Sequence, residues 1–140
     1  MECIDDDIIE LTKDNLKDIN YEDVIAVTIA EGGAMGEPNG FYAVTKNYKL
    51  YHLNFGHCNI DKKELYSTFP LLKTFRCCCE IVDSLEDDWE WLNMGFGNYL
   101  MIREKFFEKV LLYIGSNFSE NWQHGELYQN WYEVVKNVCK

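Results

Sequence analysis

The stretch FYAVTKNYKLYHLNF, residues 41–55, alternates apolar and polar side chains on both sides of Lys46 and Asn47. Two such runs joined by a short polar connection read as an antiparallel hairpin, with Lys46 and Asn47 as the turn and Tyr42, Val44, Leu50 and His52 defining one or other face. Residues 89–94 and 99–103 repeat the arrangement around Gly95, Phe96, Gly97 and Asn98, which reads as a second hairpin with a four-residue turn. Strands that come in adjacent pairs argue for a sheet built of hairpins. A doubly wound parallel sheet would instead need strands alternating regularly with long helices.

Upstream, VIAVTIA at residues 24–30 is short and β-branched, which favours a buried strand. The segment EGGAMGEPNG at residues 31–40 holds four glycines and a Pro-Asn-Gly turn and reads as a loop. Residues 1–20 read as an acidic helical lead, carried by Ile8, Ile9, Leu11, Leu16 and Ile19, with Thr12 or Asp14 able to restart a turn. Asp61, with Glu64 three residues on, resembles a capping box for a short helix through Thr68, which Pro70 interrupts. Phe106, Phe107, Val110, Leu111 and Ile114 form an apolar helical stripe that Gly115 is placed to end, and Leu127, Trp131, Val134, Val135 and Val138 mark a last helix after a linker at residues 116–125. The cysteine run after Arg76 fits a strand. Together these elements predict a single α+β domain over residues 1–140. Its mainly antiparallel sheet, two hairpins plus one strand, packs against the C-terminal helices, which cover one face.

Charge is distributed in blocks. Residues 1–31 hold ten acids and two bases, residues 32–76 three and six, residues 77–91 six and none, and residues 92–140 five of each, for a formal net charge of -11. With 47% hydrophobic and 15% aromatic residues the chain can bury a core, so the charge belongs to a folded surface. Such a field repels nucleic acid and anionic lipid and attracts basic proteins. The acidic N-terminus does not resemble an export signal, and no apolar run approaches the ~20 residues that span a bilayer, so a cytoplasmic protein is expected.

Reaction chemistry finds little footing. The six cysteines Cys3, Cys58, Cys77, Cys78, Cys79 and Cys139 show no Cys-x-x-Cys spacing. Cys77 and Cys79 would need His52, His57 or Cys58 to be brought to them by the fold, and buried reduced thiols are the simpler reading in a cytosolic chain. A nucleophilic dyad of His57 with Cys77 or Cys79 is the enzymatic alternative. The glycine-rich loop is bracketed by Glu31 and Glu37, lacks a following Lys, and leads into a strand rather than a helix, all of which argue against phosphate binding. The acid runs lack the alternate spacing and glycine hinge of a calcium loop. No catalytic residue, cofactor or metal site is expected.

The block that remains is Glu86, Asp87, Asp88, Trp89, Glu90 and Trp91. Trp89 and Trp91 share one face of a strand and Glu90 takes the other. If both indoles are core, the acids are a solvated loop. If either is exposed, aromatic and acid together have the composition of a protein-binding hot spot.

Residues 30–40, Val44-Thr45-Lys46, Phe69-Pro70-Leu71-Leu72-Lys73, residues 89–103 with Gly95, Gly97 and Asn98, Arg103-Glu104, and Tyr128-Gln129-Asn130-Trp131 resemble a family of small uncharacterised proteins of Gram-positive, Clostridia-like bacteria. The resemblance spans residues 24–135. It implies a bacterial cytosolic protein, brings no catalytic residues, and departs from the family at the cysteine run. The expectation is a non-enzymatic acidic interaction domain with a basic protein partner, such as an immunity or inhibitor protein occluding a toxin or nuclease surface. A small enzyme using His57 and a cysteine, and a mimic of nucleic-acid charge, are the alternatives.

Overall fold

The computed structural model describes residues 8–30, 40–54, 59–74, 88–95, 98–117 and 124–139. They form an α+β domain around one six-stranded sheet: β1 (Ile8–Glu10), β2 (Val24–Ala30), β3 (Gly40–Thr45), β4 (Leu50–Asn54), β5 (Trp89–Gly95) and β6 (Asn98–Arg103), in the order β1-β4-β3-β2-β6-β5. All pairs are antiparallel except β1 with β4. The helices are α1 (Lys13–Leu16), α2 (Lys62–Thr68), α3 (Glu104–Asn117) and α4 (His124–Val138), with 3-10 turns at Tyr21–Asp23 and Pro70–Thr74.

The unbroken apolar run of β2 follows from its position between β3 and β6, where both faces are covered and residues from Val24 to Ile29 are all buried. On one face Val27, Phe41, Leu53 and Met101 pack beneath Leu16, Leu65, Phe69 and Leu71. On the other, Val44, Leu50, Leu100 and Ile102 meet Val110 and Ile114 of α3 and Trp131, Val134 and Val135 of α4. Helical segments therefore cover both faces, not one. The N-terminal and middle segments supply the second cover.

Local chemistry explains most boundaries. Thr12 caps α1 through a reciprocal pair, its Oγ1 accepting from Asn15 N and Asn15 Oδ1 accepting from Thr12 N. Asp61 caps α2 by accepting from Lys63 N. Gly40 opens β3 where a Cβ would come within 2.3 Å of the Leu53 carbonyl oxygen, an approach no other residue tolerates.

Four expectations change. Among the described residues the helical lead is confined to Lys13–Leu16, because Ile8–Glu10 pairs in parallel with Leu50–His52 and extends the sheet by a strand, while residues 1–7 lie outside the described residues. The first hairpin turns through Lys46, Asn47 and Tyr48 rather than two residues: Thr45 N donates to Lys49 O, and Tyr48, at φ 61, takes the left-handed conformation instead of beginning a strand. Tyr48 is held there from α4, its hydroxyl donating to Cys139 O at 2.9 Å and its carbonyl accepting from the Tyr132 hydroxyl at 2.8 Å. In the second hairpin Gly95 pairs with Asn98, so the connection is two residues rather than four. Gly115 does not end α3, which continues to Asn117, and Leu111 of the expected stripe is 46% exposed. No helix among the described residues is long and apolar enough to cross a membrane.

Candidate partner-binding site

The acidic block meets the sheet at β5. Asp88 lies in the turn leading into it, and Trp89, Glu90 and Trp91 are its first three residues. Glu86 and Asp87 lie outside the described residues. The ladder sets Trp89 opposite Arg103, Glu90 opposite Ile102 and Trp91 opposite Met101. Both indoles thus share the face that carries Met101, and Glu90 turns to the face covered by α3 and α4.

Their environments nonetheless diverge: Trp89 is 3% exposed and Trp91 43%. The difference is what lies over each ring. Tyr21 stacks on Trp89 with centroids 5.9 Å apart, and the Arg103 guanidinium carbon sits 4.3 Å from the Trp89 centroid and 5.1 Å from that of Tyr21. Among the described residues Trp91 has Tyr99 as its ring partner, edge-on at 5.9 Å. Such a contact covers only one side of an indole.

Arg103 is the residue that sequence reasoning passed over. Buried at 6% exposure, it donates from Nε to Val24 O at 2.8 Å, from Nη2 to Tyr21 O at 2.6 Å and from Nη1 to Asp88 Oδ2 at 2.5 Å. One guanidinium thereby joins the start of β2, the turn before it and the entry to β5. Nothing local could have signalled this, because its carbonyl partners stand 79 and 82 residues away in the chain. Asp88 is consequently engaged by the fold, although its side chain remains 64% exposed. Trp89 is core, with its Nε1 lacking an acceptor among the described residues. Of the predicted site residues that the structure describes, half-buried Glu90 and exposed Trp91 are not drawn into the Arg103 cluster.

The enzymatic alternative rests on His57, Cys58, Cys77 and Cys79, which lie outside the described residues, as does the glycine-rich segment 31–39. His52 is described, and its Nδ1 lies 2.7 Å from Glu10 Oε1 while its ring packs 4.5 Å from that of Tyr42. This pairing ties β1 to β4. Cys139 is buried beneath the end of α4, and burial pushes its thiol from 9.0 to about 11 while Lys109 and Lys105 pull the other way. A thiol so placed is a poor nucleophile. An open groove of about 400 Å³ between α3 and α4, with Lys109, Tyr113, Ser116 and Asn137 in its lining, has no histidine or cysteine among the described residues that line it. No three His, Cys, Asp or Glu side chains among the described residues are grouped as metal ligands.

Comparison with protein-family profiles, curated proteins and solved structures finds no match for this chain.

Proposed function

We propose that the chain is a non-enzymatic acidic interaction domain that binds a basic protein, in the manner of an immunity or inhibitor protein occluding a toxin or nuclease surface, and that β5 carries the contact. The observation behind this reading is Trp91, an indole 43% exposed on the last strand of the sheet among the described residues. Beside it in the chain stand Asp88 and Glu90, in a run of six acids and no base over residues 77–91. Carboxylates steer a cationic partner from a distance, and a large flat ring supplies contact area at small entropic cost.

The chemistry of the block divides the work unequally. Asp88 helps hold Arg103, so reversing its charge would disturb the fold as well as the field. Glu90 and Trp91 report on binding more cleanly. Wild-type protein, Trp91→Ala and Glu90→Lys serve as baits in the lysate of the native host, with the retained proteins identified and their net charges compared. The reading expects a basic protein held by the wild type and diminished on both variants. Equal retention of the same protein by all three baits would refute it.

A further inference from the structure

We infer that the basic partner presents an arginine whose guanidinium stacks on Trp91, repeating at this rung of the sheet the arrangement that Arg103 makes on Trp89. The inference rests on the basic-partner reading and adds the kind of side chain that Trp91 receives. Three observations carry it.

The first is the arrangement already present one rung away. The Arg103 guanidinium carbon lies 4.3 Å from the Trp89 centroid and 5.1 Å from that of Tyr21, while Nη1 donates to the Asp88 carboxylate. A flat cation thus sits on an indole with a second ring and a carboxylate beside it. Arginine suits this place better than lysine, because its guanidinium is planar and less strongly hydrated than an ammonium.

The second is the register. β5 and β6 set Trp89 opposite Arg103 and, two residues on, Trp91 opposite Met101. The same face therefore carries a second indole with a thioether, not a guanidinium, across from it. Among the described residues Arg103 stands over Tyr21 and Trp89, Lys105 over Phe106 and Lys136 over Tyr132, and no cation stands over Trp91.

The third is how the ring is presented. Tyr99 meets Trp91 edge-on, with centroids 5.9 Å apart and planes at 63°. Such a contact steadies the indole without covering both of its sides, and Trp91 is exposed where Trp89, beneath Tyr21 and Arg103, is buried. Charge then selects the occupant. Residues 77–91 hold six acids and no base, so a cation is drawn toward this ring, whereas a second copy of the chain, at -11, is repelled.

The test uses the full chain and a pair of capped peptides of equal length and charge, one alternating Gly with Arg and the other Gly with Lys. Each is titrated at low salt while the Trp91 indole N–H is followed by NMR, its resonance assigned by its loss in Trp91→Phe. The arginine peptide is expected to bind about fivefold more tightly than the lysine peptide and to shift that resonance, as one stacked guanidinium would. Trp91→Leu is expected to abolish the preference. The comparison of the two peptides on wild type needs no variant. Binding with equal affinities, or with an unmoved Trp91 resonance, would overturn the stacking and leave the basic-partner reading standing, since charge alone would account for it. A preference for arginine that survives Trp91→Leu would overturn the stacking as well. If neither peptide binds, both readings fall.

Discussion

Replacing Arg103 by Met isolates what the buried guanidinium does for the fold. The side chain keeps much of its apolar volume but withdraws the donors from Val24 O and Tyr21 O, bonds of 2.8 and 2.6 Å. Val24 O, left buried without its partner, costs about 1–3 kcal/mol, the part-buried Tyr21 O about 1 kcal/mol, and loss of the cation over Trp89 about 1 kcal/mol more. The expected sum is about 3–5 kcal/mol, a large part of the about 5–15 kcal/mol that stabilises a typical domain. Asp88→Asn is the matched control. Its carboxylate is 64% exposed, so the pair is screened and the substitution costs no more than about 1 kcal/mol. Urea unfolding followed by tryptophan fluorescence resolves the two: with a slope of about 2 kcal/mol per molar urea, Arg103→Met lowers the midpoint by about 2 M and Asp88→Asn by less than about 0.5 M. A shift under about 0.5 M for Arg103→Met, or equal shifts for both variants, would show that the carbonyl contacts do not hold the segments together.

The two glycines should respond in opposite directions. Gly115→Ala, in a helix with nothing within 4 Å of the new methyl, should raise stability by about 0.5–1 kcal/mol, whereas Gly40→Ala, which meets a backbone oxygen at 2.3 Å, should lower it; denaturant midpoints decide both. Cys139 should alkylate slowly in native protein. With the folded thiol near 11 against 9.0, its thiolate fraction at neutral pH is about 100-fold smaller than in the unfolded chain, which mass spectrometry of the C-terminal peptide can time. The same shift sets a sign: the group's contribution to stability is full below pH 9.0 and is lost as pH rises to about 11, so the melting temperature of wild type should fall over that window more than that of Cys139→Ala. Trp91→Ala should lower stability by about 2 kcal/mol, less than the about 3–5 kcal/mol of a core tryptophan, because the ring is 43% exposed.

The parts of the fold legible in the sequence are those set by neighbours in the chain. Thr12, Asp61 and the run at residues 24–30 each announce a boundary through a cap or a β-branched pattern, and the structure places an element at each. The parts that were not legible depend on distant partners. Ile8–Glu10 becomes a strand because β4 offers it an edge, which its own helical spacing opposes. Tyr48 accepts a left-handed backbone because α4 clamps both its hydroxyl and its carbonyl. Trp89 and Trp91 are equivalent by strand parity, and only the arrival of Tyr21 and Arg103 over the first distinguishes them. Glu90 differs: its place on the face opposite Trp91 follows from strand parity alone and was legible in the sequence.

The affinity of the retained basic protein for wild type and for Trp91→Ala, measured by calorimetry at about 50 and 500 mM salt, tests the central claim most directly. The account predicts that loss of the indole weakens binding by about tenfold or more at both salt concentrations, since a desolvated aromatic contact is not screened, while added salt weakens both proteins through the carboxylates. Unchanged affinity for Trp91→Ala at low and at high salt would contradict it.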